Sequence, residues 1–164
     1  MPEKRIKIVG HRGARGLEPE NTIRSFRRAL ELGVDVIECD VHLTQDGYVI
    51  LMHDHTVDRT TNGTGAPGSF TLDAIRKLDA GQGERVPTLE ELIELVQGKA
   101  ELHIELKDPT ALVPVLAIVD ARRVRDQVFL TSGDTELLKR LRSADPGIRI
   151  EHIFGNPPPD AVQR

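Results

Sequence analysis

Short apolar runs of strand length alternate along this chain with stretches in which hydrophobic residues recur every three or four positions. The run at 6–10 ends on a glycine, and "NTIRSFRRALELG" follows. There Ile23, Phe26 and Leu30 share one helical face and Asn21 is the expected cap. Two more strands are expected over 34–43 and 48–53, joined by "TQDG", whose Asp46-Gly47 pair signals a turn. The stretch 56–83 is polar and glycine-rich, longer than an ordinary connection, with a short helix expected near 72–78. Thr88 and Glu91 form a capping box ahead of the stripe Leu89, Leu92, Ile93 and Val96, which Gly98 ends. "ELHIELK" then reads as a strand, and a helix begins between Pro109 and Pro114. The strand "QVFLTS" comes next, then a helix capped by Asp134 and carrying Leu137, Leu138 and Leu141, then the strand "IRIEHIF" and the terminal "GNPPPDAVQR". No repeat or interdomain linker interrupts the 164 residues, so a single domain over 1–164 is expected.

Strands alternating with helices predict an α/β fold with right-handed crossovers and a mainly parallel sheet, either open and doubly wound or closed as a barrel. Both place their sites at the carboxyl ends of the strands. The polar residues inside the apolar runs fall at those ends: His11 after the first, Glu38 and Asp40 late in the second, His53 ending the third, Glu105 and Lys107 ending the fourth.

Carboxylates cost several kcal/mol to bury unless paired or bound to metal, so their place inside strands asks for a reason. Side chains two apart share a strand face, which aligns Glu38 with Asp40 and turns Cys39 away; Glu105 and Lys107 form a second such pair. Three acids without a soft ligand suit a hard divalent cation, Mg²⁺ or Ca²⁺. The plainer alternative is that they only pair with Lys107, Arg12 or Arg59. His11 and His53 would flank the same ion, one imidazole accepting a proton and the other donating one, as phosphodiester cleavage requires. Arg12 offers a fork for a phosphate oxygen and Lys107 a point charge. His42, His55, His103 and His152 are expected to be structural, with His42 and His103 sharing faces with the acids.

Charge and composition narrow the classes. Twenty-two basic against 26 acidic residues leave a net charge of -4, with one Tyr, four Phe and no Trp, so nucleic acid is not an expected partner. "MPEKRIKIVG" lacks the apolar core of a secretory signal, and "ALVPVLAIV", broken by Pro114, is too short to span a bilayer, so no transmembrane segment is expected. The lone Cys39 fits a reducing compartment, and the cytoplasm is the expected location. "HRGARG" lacks dinucleotide-binding spacing and "GTGAPGS" lacks the lysine of a P-loop.

"HRGARGLEPENTIRSF", "IECDVHLTQDGYVILMHDHTVDRTTNGTG", "VPTLEEL" and "HIELK", in that order, resemble the glycerophosphodiester phosphodiesterase family. The resemblance implies a TIM (β/α)8-type barrel that hydrolyses glycerophosphodiesters, a small-molecule substrate, to glycerol 3-phosphate and an alcohol with a divalent metal ion. It implies metal-ligand places for Glu38, Asp40 and Glu105, acid/base places for His11 and His53, and phosphate contacts for Arg12 and Lys107. Asn21, in "PENT", matches a family position close to the site, and 56–83 stands where family insertions enclose glycerol. A complete barrel takes ~250 residues. About six of eight strand-helix units are expected here, an incomplete barrel truncated at its carboxyl end relative to the family. An open parallel edge invites a second copy, so a homo-oligomer covering it is one expectation. A non-catalytic metal-binding fragment is another. The related phospholipase D toxins and lysophospholipase D enzymes, which act on membrane lipids, share the barrel and the histidine pair.

Overall fold

The alternation of strand and helix signals builds six strands and five α-helices in the computed structural model, which describes residues 6–154. The strands are β1 (Val9–His11), β2 (Val36–Leu43), β3 (Val49–Leu51), β4 (Glu101–Leu106), β5 (Val128–Ser132) and β6 (Ile150–His152). The helices are α1 (Ile23–Glu31), α2 (Leu72–Ile75), α3 (Leu89–Val96), α4 (Leu112–Ala121) and α5 (Thr135–Ala144). The terminal "GNPPPDAVQR" lies outside the described residues.

One sheet holds all six strands in the order β1-β2-β4-β5-β6, each neighbouring pair parallel. β3 stands apart, paired antiparallel to the end of β2 through Val41↔Leu51, His42↔Ile50 and Leu43↔Val49. The six expected strands are therefore present, but the third returns along the second as a hairpin, so five strands form the parallel wall. The Asp46-Gly47 turn, with Gly47 at φ 82°, makes that reversal.

The main core decides between the two architectures left open above. Ile37, Cys39 and Val41 of β2, Leu102, Ile104 and Leu106 of β4, and Val128 and Leu130 of β5 all pack on one face. Phe26 and Ala29 of α1, the stripe of α3, Val115 and Val119 of α4 and Leu137 and Leu141 of α5 cover that same face. Helices on one side only make a barrel wall, not a doubly wound sheet. Each fully buried Leu, Ile or Phe here contributes roughly 1.5–3 kcal/mol. A second small core of Ile50, Met52, Val57, Ile75, Ala80 and Val86 lies beneath the 56–83 segment, which therefore packs although it is polar and glycine-rich.

Local signals hold at most helix ends. Thr88 and Glu91 close the expected capping box, and the Asp134 carboxylate accepts from the amides of Glu136 and Leu137. Pro114 falls in the first turn of α4, where no amide donor is needed. At α1 the cap is Thr22, not Asn21: the Thr22 hydroxyl accepts from the Ser25 amide, while Asn21 adopts φ 54° and turns its side chain elsewhere. β1 also starts later than the expected 6–10 run, and Ile6 and Ile8 are largely exposed.

Candidate active site

The face of the wall turned away from the helices is polar. Register sets Asp40 beside Glu105, and His11 beside Glu38. One carboxylate oxygen from each of Glu38, Asp40 and Glu105 lies within 4.8 Å of the other two. Asp40 is fully buried and Glu38 is 8% exposed. Burial, then the Asp40 charge, pushes the Glu38 carboxyl up to about 8, although the Arg12 amide donates to its Oε2 at 2.8 Å.

Cationic groups surround the acids. Lys107 Nζ lies 2.6 Å from Glu105 Oε1 and 3.4 Å from Asp40 Oδ1, and Arg12 Nε stands 3.3 Å from Asp40 Oδ2. The plainer pairing with Lys107 and Arg12 is thus real, yet it leaves buried oxygens over. Glu38 Oε1 has no hydrogen-bond donor, Asp40 Oδ1 has the 3.4 Å Lys107 ion pair but no hydrogen bond, and Thr131 Oγ1, on the strand position beside Glu105, is also buried and unpartnered. Oxygens around one hard cation at about 2.0–2.6 Å sit at most about 5 Å apart, so this donor set fits such an ion in both spacing and chemistry.

Asn21 belongs to this site. Its Nδ2 donates to Asp40 Oδ2 at 3.0 Å, which fixes one carboxylate oxygen and explains why Thr22 takes over the cap. The turn after β1 is tight as well. Arg12 has φ 55°, and Gly13 has φ 77°, where a Cβ would come within 2.7 Å of the Ser25 carbonyl carbon.

The two histidines reach the acids by different routes. His11 ends β1, and its Nε2 lies 3.7 Å from Glu38 Oε2. Burial, then the charges of Arg15 and Arg12, lowers its pKa and favours neutral imidazole. His53 does not end a parallel strand, as the sequence pattern had it. β3 stops at Leu51, the Met52 amide bonds to the Asp40 carbonyl, and the hairpin runs back down β2 toward the level of His11. The reversal aims His53 at the mouth. His53 Nδ1 lies 2.6 Å from Asp54 Oδ1, and Arg59 and then His53 hold the Asp54 carboxyl well below the usual carboxylate range. With that carboxylate as acceptor, Nδ1 carries the proton and Nε2 is left for chemistry.

The other histidines divide. His103 packs on Phe129 and pairs with Glu151 through Nδ1 at 3.2 Å, and His152 Nε2 lies 3.0 Å from Thr135 Oγ1, which are structural places. His42 is buried with Nε2 3.5 Å from the His53 carbonyl and its ring against His55, so it supports the backbone of the site. Arg59 pairs with none of the three clustered acids. Its partners are Asp54 and Glu20, and no local pattern in the sequence marks Glu20 for this position.

An α/β barrel wall with an acidic cluster and two imidazoles at the carboxyl ends of its strands defines a TIM-barrel protein with its site in the usual place for that fold. The chain belongs to the Glycerophosphoryl diester phosphodiesterase family, whose model matches residues 11–163. It is 41% identical over 160 residues to the glycerophosphodiester phosphodiesterase of Caldanaerobacter subterraneus subsp. tengcongensis, covering 90% of this chain and 66% of that protein. A Bacillus subtilis glycerophosphodiester phosphodiesterase is 43% identical over 120 residues, 64% of this chain and 41% of its own length. The chain therefore spans less than two thirds of these relatives.

Solved structures agree on the fold. The glycerophosphodiester phosphodiesterase of Agrobacterium tumefaciens superposes with a TM-score of 0.81 at 39% identity, over 89% of this chain and 66% of that one. A phosphodiesterase of Oleispira antarctica, solved with the product sn-glycerol-3-phosphate, gives 0.87 at 27% identity over 96% and 70%. The wall described here is that of an incomplete TIM (β/α)8-type barrel. Among the described residues no helix is long and apolar enough to cross a membrane.

Proposed function

We propose that this single domain is a metal-dependent phosphodiesterase that hydrolyses glycerophosphodiesters to glycerol 3-phosphate and an alcohol. The observation that carries the reading is the convergence of Glu38, Asp40 and Glu105, with unpartnered buried oxygens, between two histidines and two phosphate-matching cations. Membership of the family and the product found in the Oleispira antarctica structure support the substrate class.

Glu38, Asp40 and Glu105 hold Mg²⁺ or Ca²⁺, and the bound cation supplies positive charge to the phosphoryl oxygens. Arg12 and Lys107 orient the phosphate, and they neutralise charge that grows in the transition state. His53, its Nδ1 on Asp54, presents Nε2 to donate or accept a proton, and His11, kept neutral by burial, serves the complementary transfer on the opposite side. The buried, unpaired Cys39 faces the helices, takes no part and suits a cytoplasmic location.

Turnover of glycerophosphocholine by the 164-residue chain, with and without chelator, tests this reading: hydrolysis that chelator abolishes supports it, and cation binding without hydrolysis overturns it. A second reading has its own observation. Ile8 and Val9 at one edge of the wall and Ile153 and Phe154 at the other are exposed, which favours completion by a second copy before the site turns over. Gel filtration of active fractions separates the two, since activity confined to an assembled species supports the partner-completed form.

A further inference from the structure

Arg59 lies in the segment after β3, and the reaction assigned above gives it no part. Its side chain is half exposed, yet all three guanidinium nitrogens donate. Nε and Nη2 donate to Asp54 at 2.6 and 3.0 Å, and Nη1 and Nη2 donate to Glu20 at 3.0 and 2.7 Å. Each of these carboxylates has one further partner, and in both cases it is a residue of the site. Asp54 Oδ1 meets His53 Nδ1 at 2.6 Å, and Glu20 Oε1 accepts from Arg12 Nη1 at 3.1 Å. The line His53, Asp54, Arg59, Glu20, Arg12 thus alternates hydrogen-bond donor and acceptor and closes across the mouth. It joins the loop after β1 to the loop after β3, across 39 residues of sequence.

We infer that Arg59 is a positioning residue: through Asp54 and Glu20 it fixes the His53 ring and the Arg12 guanidinium relative to each other, without touching substrate. The inference rests on the phosphodiesterase reading for what that geometry is used for, but not for the geometry itself. A planar fork with donors on both edges grips two carboxylates at once with two hydrogen bonds each; a lysine ammonium can touch two carboxylates, as Lys107 does, but as a point charge it does not fix the orientation of either. As a stability device an exposed pair of this kind counts for little. As an orienting device it counts for more, because displacing a catalytic group by about 1 Å costs about 100-fold in rate. Arg59 hydrogen bonds are also the first cause lowering the carboxyl pKa of both Glu20 and Asp54, which is how a guanidinium engaged with both would act.

The test reads the His53 Nδ1 proton directly. In the cation-free chain, proton NMR should show a downfield, slowly exchanging imidazole signal that His53→Gln removes. Arg59→Ala should broaden it away while circular dichroism stays unchanged, added guanidinium ion should restore it, and Arg59→Lys should fail to retain it. On glycerophosphocholine, kcat should fall about 100-fold in Arg59→Ala with KM moved less than about threefold. A wild-type chain without the signal, or an Arg59→Ala chain that keeps both signal and kcat, overturns the inference. If wild type shows the signal, Arg59→Ala loses it and neither hydrolyses the diester, the strut stands and the phosphodiesterase reading falls. If wild type hydrolyses the diester but the signal ignores Arg59, the reading stands and the strut falls.

Discussion

Glu38→Gln should make the cation-free chain more stable at neutral pH, the reverse of the usual outcome for a buried polar replacement. Burial and the Asp40 charge raise the Glu38 carboxyl from 4.5 to about 8. A raised folded-state pKa gives stability that is complete below about 4.5 and is lost as pH climbs through about 8. At pH 7 the unfolded chain ionises this carboxyl freely while the folded chain holds it protonated, which costs roughly 3 kcal/mol at 1.36 kcal/mol per pKa unit. Glutamine removes that cost and keeps an acceptor for the Arg12 amide; allowing about 1 kcal/mol for imperfect amide pairing leaves a gain of about 2 kcal/mol. Urea denaturation in chelator at pH 5 and pH 7.5 measures it, and the variant's advantage should be small at the lower pH and grow at the higher. Saturating Mg²⁺ or Ca²⁺ should reverse the order, since about 100-fold excess over Kd stabilises wild type by about 3 kcal/mol and the variant by much less. A variant less stable than wild type at pH 7.5 in chelator, or one that gains as much from the cation, refutes the reasoning.

Other perturbations have equally definite outcomes. His11→Ala and His53→Ala should each lower kcat by about 10²–10⁴-fold while calorimetry shows cation affinity nearly intact, because the carboxylates and not the imidazoles hold the ion; loss of cation binding contradicts the assignment. Gly13→Ala forces a Cβ against the backbone of α1 at a left-handed position and should cost at least about 2 kcal/mol in chemical denaturation, with activity falling as Arg12 shifts. Thr22→Ala should cost about 1 kcal/mol by removing the α1 cap, whereas Asn21→Ala should act mainly on cation affinity, through Asp40.

Much of this site was legible because strand geometry is local. The two-residue spacings of Glu38 with Asp40, and of Glu105 with Lys107, put each pair on one face without knowledge of the sheet order, and the structure only had to set the two strands side by side. The capping box at Thr88 and the cap at Asp134 were legible for the same reason. Asn21 was misread because Asn and Thr are both good caps, and a hydrogen bond to Asp40, 19 residues away, decided between them. The direction of β3 was open to the Asp46-Gly47 signal, but strand-helix alternation pointed to a parallel strand, and the hairpin changes how His53 arrives. Arg59 reads in the sequence only as a pairing candidate for the clustered acids, and Glu20, though inside the "HRGARGLEPENTIRSF" motif, is given no role there. Their importance comes from one guanidinium bridging two loops, which no window of sequence contains.

Manganese stands in for either hard cation and scatters anomalously, so crystals soaked in Mn²⁺ test the central claim most directly. The account predicts one anomalous peak, bounded by oxygens of Glu38, Asp40 and Glu105. Density elsewhere with that space empty, or the three carboxylates turned apart around it, contradicts it.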